Sequence, residues 1–226
     1  MGVNMPQITY LGHSAFEVAF QKKTILFDPW LSMDMDRLVP PAYDASHIRN
    51  CDVLFLSHEH GDHFNSADVK RIYERTFTHV VAPKSIFEQI SIPENRKVVA
   101  YVGDEFNYYG LDVKVMEARH PKSAYPVSYL VSDGAESVFF AGDTYDFYAL
   151  SKVSADVSMI PIGGTYTMDV IGALSAIKKI KTSHFIPMHY NTFQNIKVDT
   201  YDFERKAKKE TKAQIHVLPV GHSIQI

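Results

Sequence analysis

The early part of the chain alternates apolar and polar positions with a period of two. Residues 7–11, 15–20 and 24–27 read as short strands, with a Gln21-Lys22-Lys23 turn between the last two and Asp28-Pro29 closing the third. The run 52–57 (Asp-Val-Leu-Phe-Leu-Ser) is a short apolar stretch ending in a polar switch, the pattern of a buried strand emerging at a sheet edge. Further short strands are expected at 78–82, 97–101, 105–107, 111–118, 128–131, 137–141, 157–160, 185–186, 214–218 and 223–226, with Tyr109-Gly110 and Asp133-Gly134 marking turns. Helical spacing appears after Asn65 or Ser66, either of which can cap, and again over 169–180 and 200–209. Residues 30–50 carry Met33, Met35, Pro40 and Pro41 without a period. So long a connection in a compact chain is expected to line or cover a site. Many strands with widely spaced helices predict two mixed, mainly antiparallel sheets packed together with helices outside, an α+β sandwich in one domain over 1–226.

Between the strand 52–57 and the following helix lies His58-Glu59-His60-Gly61-Asp62-His63. Three imidazoles and a carboxylate crowd into one strand-end loop, which points to metal. In extended backbone, residues two apart face the same way, so His58 and His60 can share one ion while Glu59 faces elsewhere. Gly61 permits a sharp turn, after which Asp62 and His63 can face a second ion. Three later residues occupy the same kind of strand-end position. His120 ends the run 113–119 before Pro121, Asp143 follows 138–142, and His189 follows Phe185-Ile186-Pro187-Met188.

Composition narrows the setting. With 226 residues, 46% of them hydrophobic, the chain can bury a substantial core. No charged leader with an apolar stretch opens it and no apolar run is long enough for a bilayer, so a cytoplasmic protein without a transmembrane segment is expected. Cys51 is the single cysteine, which excludes an intrachain disulfide and a cysteine-rich zinc site and leaves a packed thiol. A net charge of −3 lacks the basic surplus of a nucleic-acid binder. The basic run 205–209 is flanked by Glu204 and Glu210 and reads as a solvated helix face. No signal bears on oligomeric state.

The order His-x-His-x-Asp-His, lone His, Gly-Asp-Thr, late His resembles the metallo-β-lactamase superfamily, from Leu11 to His189. The segments 10–16, 161–169 and 186–193 resemble a group of small metal-dependent hydrolases within it, with more distant likeness to an ascorbate-phosphate lactonase and an N-acyl-phosphatidylethanolamine phospholipase D. The resemblance implies a four-layer αββα sandwich with its site on loops at one edge. It also implies a ligand assignment: His58, His60 and His120 on one ion, Asp62, His63 and His189 on the other, and Asp143 bridging. Two divalent ions are expected, zinc first, while the same ligands admit manganese, iron or nickel. Ions ~3.5 to 4 Å apart can hold a hydroxide and acidify water towards a pKa of ~7, giving a nucleophile at neutral pH. The expected reaction is hydrolysis of an ester, lactone, amide or phosphodiester in a small molecule, with Asp62 orienting the nucleophile and shuttling its proton.

Outside the ligand set, Asp28 resembles the early aspartate that braces the metal loop. His13 stands in a Gly-His-Ser context that suits a site-lining residue donating to substrate, or equally a packed imidazole. Gly221-His222-Ser223 repeats that triplet, a hint of matched loop positions, although His222 reads more simply as a strand end. Tyr166 and Asp169 fall on a loop that the resemblance places near the metals, and Asp169 also reads as a helix cap. His47, His79, His184 and His216 lack motif context and are expected to be structural or exposed. Two rival enzymes share the fold: an iron-dependent redox protein and a nuclease related to transfer-RNA processing enzymes. Flavodiiron proteins resemble His-x-Glu-x-Asp, and imidazole at position 60 weakens the iron reading. The acidic balance opposes the nuclease. A non-catalytic metal-binding protein is a fourth reading, against which the complete ligand set argues.

Overall fold

The structure, a computed structural model, describes residues 6–226. Strands β1 (Gln7–Gly12), β2 (Ala15–Ala19), β3 (Thr24–Phe27) and β4 (Val53–Phe55) are followed by helix α1 (Ser66–Thr76), β5 (His79–Ala82), the short α2 (Lys84–Phe87) and β6 (Lys97–Val99). The second half comprises β7 (Glu105–Tyr108), β8 (Leu111–Glu117), β9 (Val127–Ser132), β10 (Ser137–Phe140), β11 (Ser154–Pro161), α3 (Val170–Lys179), β12 (Lys181–Met188), α4 (Thr200–Glu210), β13 (Gln214–Ile215) and β14 (Ser223–Gln225). They form two seven-stranded sheets, ordered β14-β1-β2-β3-β4-β5-β6 and β13-β12-β11-β10-β9-β8-β7.

Both sheets are mixed, as expected, with one refinement. Each divides evenly into an antiparallel half and a parallel half, so antiparallel pairing does not predominate. The sequence hid this because parallel strands buried on both faces read as continuous apolar runs, which carry no direction. Strands β11 and β12 are also longer than their apolar cores suggested, since Ser154, Asp156, Lys181 and Ser183 continue the ladders through polar positions. The expected strand 214–218 pairs only through Gln214 and Ile215.

Pairing fixes the location of chemistry. Strands β1, β3 and β4 run in one direction in the first sheet, and β8, β10 and β12 share a direction in the second. His13, Asp28, His58, His120, Asp143 and His189 each follow the end of one of these strands. One edge of the sandwich therefore collects them.

Alternation along the strands builds the layers. Ile25, Phe27, Val53, Phe55 and Val81 point into the interior between the sheets, while their neighbours Leu26, Leu54, Val80 and Ala82 face outward, onto Val69 and Ile72 of α1. Helix α1 starts where Asn65 Oδ1 accepts from the amides of Ala67 and Asp68, at 3.0 and 3.1 Å. On the second sheet's side, Ala173, Ala176 and Ile177 of α3 and Phe203 and Ala207 of α4 join the core. Cys51 is buried against Thr78, and burial pushes its thiol up to about 12, so it is a packed residue as expected. The basic run on α4 faces solvent and pairs within its own helix, Arg205 and Lys206 with Asp202 and Lys208 with Glu204.

The long segment 30–50 is held without regular structure beyond one turn of 3-10 helix at Ala45–His47. Buried Asp68 accepts from the Leu31 amide at 2.8 Å and from the Ser32 hydroxyl, Arg37 donates to the Trp30 and Val39 carbonyls, and the guanidinium lies 4.2 Å from the Trp30 ring. Met35 consequently rests against Gly61 of the metal loop, where an added Cβ would lie 2.7 Å from its sulfur.

Phe140 of the second sheet stacks on Phe27 of the first with ring centroids 4.7 Å apart, directly beneath the site edge. Phe140→Ala is expected to lower unfolding stability by about 3–5 kcal/mol in urea titration. A loss under ~1 kcal/mol would mean that this contact does not couple the sheets.

Candidate metal centre

Eight side chains from five loops converge at the strand-end edge. His58, His60 and His120 bring ligand nitrogens within 4.8 Å of one another, and so do the donor atoms of His13, Asp62, His63 and His189. Asp143 lies between the groups. Its carboxylate is 4.0 Å from His58 Nε2 and 3.8 Å from His120 Nε2 on one side, and 3.2 Å from both His63 Nε2 and His189 Nε2 on the other. The sequence-derived candidate ligands are thus brought together; His13 joins Asp62, His63 and His189, and Asp28, His58 and His63 form a third cluster that spans the two.

The outward nitrogens determine what the inward ones can do. Asp28 is fully buried where β3 ends, accepting from the Ser57 amide at 2.7 Å, the Ser57 hydroxyl at 2.5 Å and His63 Nδ1 at 2.7 Å. Because the Ser57 proton goes to Asp28, His58 Nδ1–H must be the donor in its 2.9 Å contact with Ser57 Oγ. One carboxylate thereby orients His63 directly and His58 through Ser57. His60 Nε2–H donates to the Lys122 carbonyl and His120 Nδ1–H to the Tyr166 carbonyl, each at 3.0 Å. Carbonyls only accept, so these tautomers are fixed.

The inward atoms, His60 Nδ1 and His120 Nε2, then meet as two lone pairs 3.0 Å apart. Bare lone pairs at that distance repel, and a cation between them removes the conflict. His58 Nε2, His63 Nε2, His189 Nε2 and Asp143 Oδ1 are likewise buried and unpartnered by any aligned hydrogen bond. Such a donor set, with the outward nitrogens of His58, His60, His63 and His120 all engaged and only His189 Nδ1 without a partner, fits metal ions.

Charge reinforces the arrangement. Burial would raise Asp143, yet the imidazoles of His189 and His63 hold it well below the usual carboxylate range. Burial opposes a proton on His189, but Asp143 and Asp62 outweigh it and raise that imidazole to about 9. The carboxylates thus draw positive charge inward. His58 is driven well below its ordinary value by burial and then by repulsion from His63, which leaves its lone pair free.

The backbone is forced to deliver these groups. His13, Asp28 and His189 all have positive φ, at 59°, 39° and 56°, in a region that side chains rarely adopt. Gly163 permits a contact no other residue allows, because an added Cβ would lie 2.1 Å from the His189 carbonyl.

Several sequence expectations change here. His13 is fully buried and does not line the cleft. Its Nε2 lies 3.2 Å from Asp62 Oδ2, and its Nδ1 contacts the Thr192 hydroxyl. Burial and the adjacent His189 push it down to about 3, so it is neutral and holds Asp62 from beneath. The matched triplets do not occupy matched positions. His222 is exposed, and its carbonyl merely accepts from the Tyr10 amide beside β14. Asp169 caps α3, accepting from the Gly172 amide at 2.8 Å. His79 bonds Tyr108 and Arg96, and His184 bonds His216, both away from the site.

A cleft of about 560 Å³ opens above the ligands, walled by Met35, Lys122, Thr165, Tyr166, Phe193, Asn195 and Ile196. Tyr166 is present as expected, and Met35 brings the long segment to the site. Lys122 and Phe193 at the cleft and Thr192 behind His13 were missed. Glu59 faces away from the ions, as its alternation implied, and accepts from Ser123 Oγ and the Ala124 amide.

Two outcomes follow from this geometry. Only neutral His189 can ligate, and its proton persists up to about pH 9. Metal binding by stripped protein should therefore strengthen as pH rises from 6.5 to 9, by up to ~tenfold per unit, with protons released in calorimetry. Affinity independent of pH would contradict this. Asp28→Ala frees two ligand imidazoles and should weaken metal binding ~10- to 100-fold in competition with a chelating dye.

Comparison with known proteins agrees with the donor geometry. Residues 7–189 match the β-lactamase superfamily domain. A UPF0173 metal-dependent hydrolase of Thermofilum pendens is 32% identical over 231 residues, covering 98% of this chain and 99% of its own. A solved metallo hydrolase from the hyperthermophilic archaeon Ignicoccus hospitalis is similar with a TM-score of 0.83 and 27% identity, over 98% of each chain. CmlA, a diiron β-hydroxylase from Streptomyces venezuelae, is similar with a TM-score of 0.78 over 99% of this chain and 54% of its own; at 15% identity, that likeness shows the fold alone. The domain match and the end-to-end kinship lead to one conclusion: this chain belongs to the β-lactamase superfamily, among its UPF0173 metal-dependent hydrolases.

Proposed function

We propose that the protein is a binuclear hydrolase that cleaves an ester, lactone, amide or phosphodiester bond of a small molecule. The observation that carries the reading is the pair of facing imidazole lone pairs, His60 Nδ1 and His120 Nε2, beside a second donor group that shares Asp143. His58, His60 and His120 hold one divalent ion, Asp62, His63 and His189 the other, and Asp143 serves both. Zinc suits this mixture of imidazole and carboxylate best. A carboxylate at position 60 would favour iron; imidazole shifts the balance away from oxygen chemistry.

When bound, the ions supply Lewis acidity and lower the pKa of water so that a nucleophile exists near neutral pH. The chain supplies the rest. Asp62 stands at the cleft, held well below its ordinary pKa, against the effect of burial, by contacts with His13 and His189. It stays ionised and can accept a hydrogen bond from water, aiming it at the bond to be cleaved. His13 Nε2–H donates to Asp62 Oδ2 while the Thr192 hydroxyl donates to His13 Nδ1, which fixes the carboxylate's orientation. The cleft's size suits a small molecule, since such pockets run to ~300–1,000 Å³.

The test combines metal analysis with a panel of ester, lactone, amide and phosphodiester substrates. Metal-loaded protein should turn over at least one class, and Asp62→Ala should lower kcat by ~10²- to 10⁴-fold. His120→Ala should also lose bound metal. No turnover across the panel, equal to that of stripped protein, would overturn the reading. Bound redox-active iron with oxygen consumption would replace it with oxidative chemistry.

A further inference from the structure

The carbonyls that accept from His60 and His120 belong to Lys122 and Tyr166, and the side chains of those same two residues meet at the cleft mouth. The Lys122 ammonium lies 5.2 Å from the centre of the Tyr166 ring. Two segments distant in sequence therefore each tie down one imidazole through the backbone and present one side chain to substrate.

Both segments are held hard. Glu59 accepts from the Ala124 amide at 2.7 Å and the Ser123 hydroxyl at 2.9 Å, and these contacts outweigh burial and keep its carboxyl low and charged. The Lys122 backbone is thus pinned beside the metal loop. On the other side Gly164, Thr165 and Tyr166 have consecutive φ values of 73°, 53° and 75°. Three left-handed residues in a row, one of them β-branched, cost free energy and persist only where surrounding contacts enforce them. The Thr165 hydroxyl bonds the Asn195 carbonyl, and the Gly164 amide bonds the Met168 carbonyl. The strain sets Tyr166 with its carbonyl on His120 and its ring, 52% exposed, under Lys122.

Among the described residues, Lys122 is the only lysine or arginine lining the cleft. It forms no ion pair among the described residues, and Glu59, whose carboxylate holds the adjoining Ser123 and Ala124, directs its oxygens to Ser85, Ser123 and Ala124. A cation resting on an aromatic face keeps much of its charge available, because the ring offers a quadrupole and no counter-charge. We propose that Lys122 and Tyr166 form a recognition subsite for a carboxylate-class monoanion carried by the substrate at a distance from the bond that is cleaved. This rests on the hydrolase reading of the same cleft. One flexible point charge with no arginine fork beside it matches a single negative charge better than a phosphate dianion, which favours bidentate partners. Met35, Phe193 and Ile196 on the cleft wall suit an apolar body between the anion and the reacting group.

The test uses a matched pair of esters, mono-4-nitrophenyl glutarate, which is anionic, and methyl 4-nitrophenyl glutarate, which is neutral. Metal-loaded wild-type protein should favour the anionic ester in kcat/KM, with the difference in KM. Lys122→Met should cut the anionic-to-neutral ratio about fivefold to tenfold, while bound metal per chain stays at the wild-type value. Lys122→Arg should restore most of the ratio. Using the ratio cancels any general change in activity. An unchanged ratio in Lys122→Met, or a loss of bound metal that accounts for its defect, would overturn the subsite. If neither ester is hydrolysed, ester cleavage fails as a reading, and calorimetry of glutaranilic acid and its methyl ester with metal-loaded protein decides the subsite without turnover. Tighter binding of the acid, lost in Lys122→Met, supports the subsite; equal binding of the two overturns it.

Discussion

The site depends on one buried carboxylate. Asp28, fully buried at the end of β3, takes three hydrogen bonds and through them fixes His63 directly and His58 by way of Ser57. Asp28, His58 and His63 form one close cluster while each imidazole also joins a separate donor group, so a single residue sets the facing of both. Burial pushes its carboxyl up from the ordinary value, against the pull of His63 and Ser57. A carboxylate there gives the imidazoles a fixed acceptor behind them, and outer-shell acceptors govern ligand orientation and basicity.

The fold places that carboxylate where it can act. Parallel pairing of β3 with β4 sets the end of β3 beside the start of the metal loop, and the Asp28 amide donates to the Phe55 carbonyl at 3.0 Å. The second sheet brings Asp143 and His189 to the same edge, with Phe27 and Phe140 stacked below. The interior is close-packed and apolar, while charge and backbone strain collect at the rim. Marginal local geometry at His13, Asp28 and His189 is sustained by a core that does not share it.

The sequence made much of this legible, and the physics explains which part. The candidate ligands leave strand ends beside apolar runs, so His58, His60, Asp62, His63, His120, Asp143 and His189 were visible as a set. Asp28 showed for the same reason. His13 misled because a histidine after a strand announces its position but not its depth; the φ of 59° that turns it inward has no signature in Gly-His-Ser. Lys122 and Thr192 were invisible because they act through long-range contacts with His60, Tyr166 and His13 that no local pattern encodes. A lysine two residues beyond a ligand, on a Pro-Lys-Ser turn, was the available cue. The share of parallel pairing exceeds the expected one because strand direction resides in crossovers.

The central claim is that these side chains are two ion sites sharing Asp143. Anomalous diffraction from crystals of metal-loaded protein, recorded across the metal's absorption edge, tests it most directly. The account predicts two peaks, one among His58, His60 and His120 and one among Asp62, His63 and His189, with Asp143 touching both. A single peak, or none, after full loading would contradict it.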